Sequence, residues 1–350
     1  MSNSVTREVP APPGATPASA GGGAAPRRRR LSLGGSAGIV AGLVILCGYL
    51  AITQPIFLTW GNITNIVLSN SVILLLAIGA TFVIIAGGID LSAASAGTAC
   101  AMVLGLGLSS GLGAVTALLL TLLAGLLIGV VNGALISYLR ISFLVVTLGT
   151  LSILESIALV SNQGTTISVF ELEAFQGVYH FTLDRIGGVP ILMIFDVVVV
   201  AAAVLILRYT PFGRSVFAIG SNPEAARLNG INVALTMLGV YVIAGLAAAL
   251  AGIVQVGRLT AASPAVDSTL LLTVIAAVLI GGTAYTGGEG GVGGTVLGVL
   301  FLGVIQNGLT LSEVSTFWRG TVNGLVLIVA VALGVARHSG LFRRRKGKVS

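Results

Sequence analysis

The sequence predicts an all-α membrane protein of about ten transmembrane helices with both termini in the cytosol. Three observations carry that reading: a composition too apolar to wet its own surface, apolar runs long enough to cross a bilayer, and an uneven distribution of arginine and lysine between the loops. Of 350 residues, 55% are hydrophobic and 8% are charged, with a mean hydropathy of +1.06. Soluble domains carry charge on about a quarter of their residues. Runs of eighteen or more apolar residues recur along nearly the whole chain, and each is long enough for a hydrocarbon core about 30 Å thick.

The first 34 residues stand apart. VPAPPGATPASAGGGAAP is rich in Pro, Ala and Gly and nearly free of bulky apolar side chains, so it reads as a disordered, basic cytosolic tail. Arg27 to Arg30 then precede an apolar run that is too long for a cleaved signal and lacks an A-x-A site, so that run reads as an anchor helix. The predicted spans are 36–54, 66–86, 91–109, 113–138, 143–161, 189–207, 234–257, 271–286, 292–311 and 320–336. Together they form a transmembrane domain over 35–337, followed by a basic tail over 338–350. With both termini inside, every one of the 18 basic residues except Arg185, Arg258 and Arg319 falls on the cytosolic side. Spans eight and nine are short and interrupted by glycine, the pattern of a broken or re-entrant segment. The formal charge of +7 calls for no nucleic acid, because anionic lipid beside the basic tails accounts for it.

Motifs for soluble chemistry fail on context. In GGEGGVGG, residues 287–294, Gly288, Gly290 and Gly293 have G-x-G-x-x-G spacing, and Glu313 follows about twenty residues on. The preceding TVIAAVLIGG reads as a membrane helix rather than a Rossmann strand, so the glycines read as a turn and no dinucleotide is expected. Cys47 and Cys100 lack ligand-like neighbours at metal spacing and read as packing residues. His180 and His338 are far apart. No nucleophile elbow, zincin motif or P-loop occurs, so any ATP that drives this protein is bound by another chain.

Glycine instead marks helix contacts. GLLIGVVNG places Gly125, Gly129 and Gly133 four residues apart on one face, where a neighbouring backbone can approach closely. GVLFLGVIQNG, from Gly298 to Gly308, also ends in Asn-Gly, and AGGIDLS and IGGTAYT each place a Gly pair at the end of a span. These echoes hint at an internal duplication. In the cytosolic loop 208–233, Asn222 is placed to cap a short helix, Pro223 to occupy its first position, Glu224 to complement its dipole and Gly230 to end it. Ala225 and Ala226 give that helix a small-residue face suited to a groove on a partner; a loop helix without a partner is the plainer reading.

Four longer stretches then resemble a known family. VIIAGGIDLS (83–92), VVTLGT (145–150), TPFGRSVFAIGSNPEAARLNGI (210–231) and IAAVLIGGTAYTGGEGGVGGTVLGVLFLGVIQNGL (275–309) are similar to the permease subunit of ribose-type ABC sugar importers, over roughly 60–335. The resemblance implies a multi-pass protein of the bacterial inner membrane that passes a sugar inward. It implies two permease chains, identical or paired with a relative, on two cytosolic ATPase subunits that hold ATP-Mg. An external binding protein delivers the sugar, and this chain binds no cofactor of its own. Arg214, Ala225, Ala226, Arg227 and Gly230, with the capping residues Asn222 and Glu224, fall where the family's coupling helix meets the ATPase. Gly87, Gly88, Asp90, Gly281, Gly282, Gly287 and Gly288 fall in its glycine-rich turns, where Asp90 reads as a helix cap.

The chain departs from the family pattern at Glu155 and Ser156, where Arg-Gly is usual, and at Leu271–Val274, where an acidic segment is usual. Both lie in regions the family connects with the substrate path or its packing. A carboxylate inside a span normally faces a cavity or a partner, so Glu155 is either a sugar-hydroxyl acceptor or a group reaching water near the outer end of span five. Asp196, seven residues into span six, reads as having a structural partner. Asn70, Ser71, Gln255 and Asn307 read first as interhelical hydrogen-bonding residues and second as substrate contacts. A gradient-driven carrier using Glu155 and Asp196 as a relay, and a scaffold without transport, are the alternatives.

Overall fold

The computed structural model describes residues 33–315 and, beyond them, positions 318, 320–322, 324, 325, 328 and 332. The tail before residue 33, with Arg27 to Arg30, most of the tenth predicted span and the tail over 338–350 lie outside the described residues. The described chain is helical almost throughout. In order it forms α1 (Leu33–Thr53), α2 (Trp60–Ile85), α3 (Ala93–Ser109), α4 (Ala114–Ser137) and α5 (Phe143–Ser161). A short cap follows, with β1 (Ile167–Ser168), a 3-10 turn, α6 (Gln176–Leu183), β2 (Arg185–Ile186) and β3 (Val189–Pro190). Then come α7 (Ile191–Tyr209), α8 (Pro211–Ser221), α9 (Pro223–Leu228), α10 (Val233–Leu259), β4 (Ala261–Ala262), α11 (Ser268–Ile280) and α12 (Val292–Leu311).

Six of these helices, α2, α4, α5, α7, α10 and α12, are long and apolar enough to cross a membrane. Ala37–Thr53 within α1, α3 and Thr269–Ile280 within α11 are apolar but shorter. Two boundaries differ most from expectation. Helix α2 starts at Trp60 rather than 66, because the Thr59 side chain accepts a hydrogen bond from the Asn62 N–H and so opens the helix inside a polar stretch. Helix α11 stops at Ile280 rather than 286, because Gly282 takes a left-handed backbone (φ 91°), and Thr283 N–H returns to Val278 C=O. Helix α2 ends in the same way, with Gly87 at φ 86° and Gly88 N–H bonded to Val83 C=O. The two predicted Gly pairs thus terminate helices by one geometry.

Helix α10 is the centre, packed along α4, α2 and α3, while α12 packs on α2 and α11. The α4–α10 seam follows the predicted glycine stripe. A Cβ on Gly129 would stand 2.5 Å from Tyr241 C=O, and one on Gly133 would stand 3.0 Å from the Leu238 Cα. In lipid, where apolar surface gains nothing from leaving one oily neighbour for another, such close backbone approach is a main source of helix association. The predicted loop 162–188 is more ordered than a bare loop. Strand β1 pairs with β4, placing Ile167 opposite Ala262, and β2 pairs with β3. Val169, Phe175 and Val178 are buried beneath this cap, and Phe175 meets Tyr179 edge to face.

Candidate functional site

The loop 208–233 carries two helices where one was expected. Thr210 accepts from the Gly213 N–H at 3.1 Å and Pro211 takes the first position of α8, whose Val216 and Ile219 are buried. Helix α9 repeats that start, with Asn222 Oδ1 accepting from the Ala225 N–H at 2.9 Å and Pro223 at its first position. Gly230 ends it at φ 80°, with Ile231 N–H bonded to Ala226 C=O. Glu224 bridges Arg227 at 3.3 Å. With both side chains more than half exposed, that pair contributes at most about 1 kcal/mol.

The small-residue face divides. Ala226 is buried in its own chain, so the two alanines do not form one outward surface. The reason is helical spacing: α9 turns one side towards α10, and Ala226 falls on it. Outward stand Glu224, Ala225, Arg227 and Leu228, the last 81% exposed, with Arg214 exposed on α8.

At the α8–α9 elbow three segments touch through glycine. Gly288 N–H donates to Ile85 C=O at 2.8 Å, and a Cβ on Gly220 would collide with that same carbonyl. A Cβ on Gly287 would sit 2.9 Å from the Gly87 Cα, and one on Gly288 would sit 2.9 Å from the Ser221 N. The end of α8 is therefore seated directly on the end of α2 and on the α11–α12 turn. The GGEGGVGG stretch is this turn. A helix precedes it instead of a strand, and Gly287, Gly288 and Gly290 all have positive φ. Gly281 serves close packing, since a Cβ there would stand 2.5 Å from the Gly294 C=O.

Asp90 works beside this junction, though not as the N-cap. Ser92 holds that position, and Asp90 Oδ1 accepts from the Ser92 N–H at 2.8 Å and Oγ at 2.6 Å, tightening the turn before α3. Burial in this turn raises the Asp90 carboxyl above its ordinary range, and the two bonds from Ser92 oppose that shift. Asn132 Nδ2 then donates to Ser92 Oγ at 3.0 Å, and Thr150 Oγ1 donates to Asn132 Oδ1 at 2.6 Å. A continuous polar chain links the α2–α3 turn through α4 to α5.

The four path candidates do not gather. Asn70 is buried at the α2–α12 seam, donates to Ile66 C=O at 2.7 Å, and faces Gly303. Asn307 exchanges two bonds with Asn62 on the same seam, at 2.8 and 3.1 Å. Asn307 thus bonds across the two helices, as an amide in a span commonly does, whereas Asn70 bonds back into α2 and only packs on α12. Gln255 is half-buried on α10, and Glu155 is exposed on α5, a helix that packs on α3 and α4. Asp196 has the expected structural partner: Ser71 Oγ donates to its Oδ2 at 2.5 Å. Its Oδ1 has no hydrogen-bond partner among the described residues, with Arg258 as the nearby positive charge. Arg258 itself donates to Ser69 at 3.3 Å, a link between α10 and α2 that no local pattern announces. Cys47 and Cys100 are free thiols, and no cluster of three metal-ligating side chains occurs among the described residues.

No solved structure matches the chain. Among curated proteins it is 37% identical over 297 residues to a ribose import permease of Bacillus subtilis, covering 85% of this chain and 91% of that one. It is 35% identical over 293 residues to the ribose import permease of Escherichia coli strain K12, covering 83% and 90%. It is also 35% identical over 299 residues to a probable ABC transporter permease of Sinorhizobium fredii, covering 84% and 87%. Residues 62–331 match the family model described as branched-chain amino acid transport system / permease component. With the match covering most of the chain and the relatives aligned over most of theirs, the chain belongs to this family of ABC-importer permeases.

Proposed function

We propose that this chain passes a ribose-like monosaccharide, or a related polyhydroxylated compound, from an external binding protein to the cytosol, driven by ATP hydrolysis on separate subunits. The substrate class rests on the relatives, which include ribose import permeases and a D-allose transport system permease. In this reading the chain crosses a bacterial inner membrane about ten times with both termini inside. It pairs with a second permease chain, identical or related. Two cytosolic ATPases carry the ATP-Mg, and this chain performs positioning rather than chemistry.

The observation that supports it best is the α8–α9 element. It is capped at both ends, exposes Leu228 beside Glu224 and Arg227, and rests through Gly220, Gly87 and Gly288 on the end of α2 and on the α11–α12 turn. A partner that pulls on α9 would move α2 and the α11–α12 turn with it, since packed backbones shift as units rather than stretch. The binding protein would dock on the cap over 162–188. Coupling then comes from contacts that differ between two states, which calls for a shallow polar path instead of one deep pocket.

A tagged chain extracted in mild detergent should carry an ATPase subunit in near-equal amount. Recovery of no ATPase in any mild detergent would refute the reading and favour a gradient-driven carrier. In reconstituted complexes, Arg227→Glu should separate ATP hydrolysis from uptake. Ala226→Pro should do the same, because it deletes the N–H that bonds Asn222 C=O inside α9. Unaltered coupling in both variants would remove α9 from the mechanism.

A further inference from the structure

A cavity of about 360 Å³ opens between the end of α4 and the α9–α10 corner, within the size range of small-molecule sites. Arg140 and Arg227 line it together with Ser137, and Ile136, Ile231 and Met237 supply apolar wall. Arg140 has no ion pair with any described residue, and Arg227 has only its exposed bridge to Glu224. The first turn of α10, a helix of 27 residues, adds the positive end of its dipole from Asn232 onward. Two guanidiniums and a helix start around one hollow are complementary to an anion with several acceptor oxygens.

The walls and the setting say which anion. Free phosphate would gain nothing from Ile136, Ile231 and Met237. On the other side of α4 from Ile136, the exposed face is apolar through Leu127 and Val131 and ends at Tyr138 and Leu139, immediately before Arg140. A long apolar face that ends in tyrosine and then arginine marks the boundary between acyl chains and headgroups. Basic pockets between helices at that level take acidic lipid headgroups. We propose that the cavity binds the phosphate-bearing headgroup of an anionic phospholipid, with Arg140 and Arg227 on the phosphate and the apolar wall against the first acyl carbons. That the lipid belongs to the cytosolic leaflet rests on the topology proposed above. The site places a lipid beside α9, the helix assigned to coupling.

The test uses the purified full chain in mild detergent, stripped of lipid, with thermal unfolding and native mass spectrometry as readouts. Phosphatidylglycerol should raise the melting temperature and stay bound as an adduct, while phosphatidylcholine does neither. Arg140→Gln with Arg227→Gln should weaken phosphatidylglycerol binding on the order of tenfold or more. Arg140→Lys should retain most of it, and the single Arg140→Gln serves if the double variant folds poorly. Equal stabilisation by inorganic phosphate would make this a free-anion site, and an undiminished lipid response in the variants would place the lipid elsewhere; either result overturns the proposal. So would stabilisation by the cytosolic ATPase alone through the two arginines, which would assign the cavity to a protein carboxylate. Neither readout requires transport, so failure here leaves the coupling reading untouched.

Discussion

Helices α2 and α4 are similar in length and equally plausible as spans, yet the chain treats them in opposite ways. In their most apolar eighteen residues, 78% of α2 is buried within the chain and 22% of α4. Burial on α4 is confined to one stripe, Ala117, Thr121, Gly125, Gly129, Asn132 and Gly133, which faces α10 and α3, while α2 is enclosed on all sides from Leu74 to Ile85. Hydropathy reports only that a segment prefers oil to water. Which oil, lipid or protein, is decided by where small and polar residues let another backbone come close.

The largest expected effect breaks the enclosed region at its tightest point. Gly220→Val would put a branched side chain into Ile85 C=O and against Gly288, where neighbouring backbone must move to make room. Forced overpacking of this kind costs about 3 kcal/mol or more, and the variant should yield little folded protein by size-exclusion chromatography in detergent. A well-folded variant would show that the α8 elbow yields, and would remove the rigid seat that the coupling reading relies on.

A paired substitution sharpens the contrast between inner stripe and outer face. Gly129→Val meets Tyr241 C=O and the Val242 Cα, whereas Gly149 on α5 has nothing within 4 Å of its Cβ position. The first should lower stability by about 2–3 kcal/mol and the second by under about 0.5, measured as melting shifts on the purified chain. A comparable loss at Gly149 would reveal that a second chain covers that face of α5.

The same division explains what could be read without coordinates. The caps at Asn222 and Gly230, the Gly-pair helix ends and the fourfold stripe of α4 are local patterns, complete within a few residues. Helix α8 carried the same signal as α9, a capping residue followed by proline at Thr210–Pro211, and was readable in principle. What escaped are pairings across distance. Asn62 with Asn307, Asp196 with Ser71, and Arg140 beside Arg227 are brought together by packing, and no spacing in one stretch encodes them. The inward turn of Ala226 belongs to that class, because helical spacing defines a face but not what lies opposite. Asn70 and Asn307 illustrate the limit: their first reading, as hydrogen-bonding residues between helices, named no partner, and Asn62 and the Ile66 carbonyl become visible only in the packed chain.

Glu155 is the candidate that packing leaves open, and it gives the smallest structural effect with the most specific functional one. With Ser152 and Ser156 it forms a polar stripe, Ser152 lying three and four residues before the other two, on an exposed face that is otherwise apolar. A charge facing lipid at mid-helix costs about 2.5–3.5 kcal/mol on insertion scales for Asp, Lys or Arg, so this stripe is expected to face water or a second chain across the sugar path. Glu155→Gln keeps shape and volume, so the melting temperature should hardly move. Uptake by the reconstituted transporter should show a KM raised about tenfold, the worth of one hydrogen bond to a charged acceptor, with ATP hydrolysis unchanged. If uptake by the variant matches the parent protein across pH, the carboxylate merely reaches water at the outer end of α5, and the exposed face of α5 loses its claim to the path.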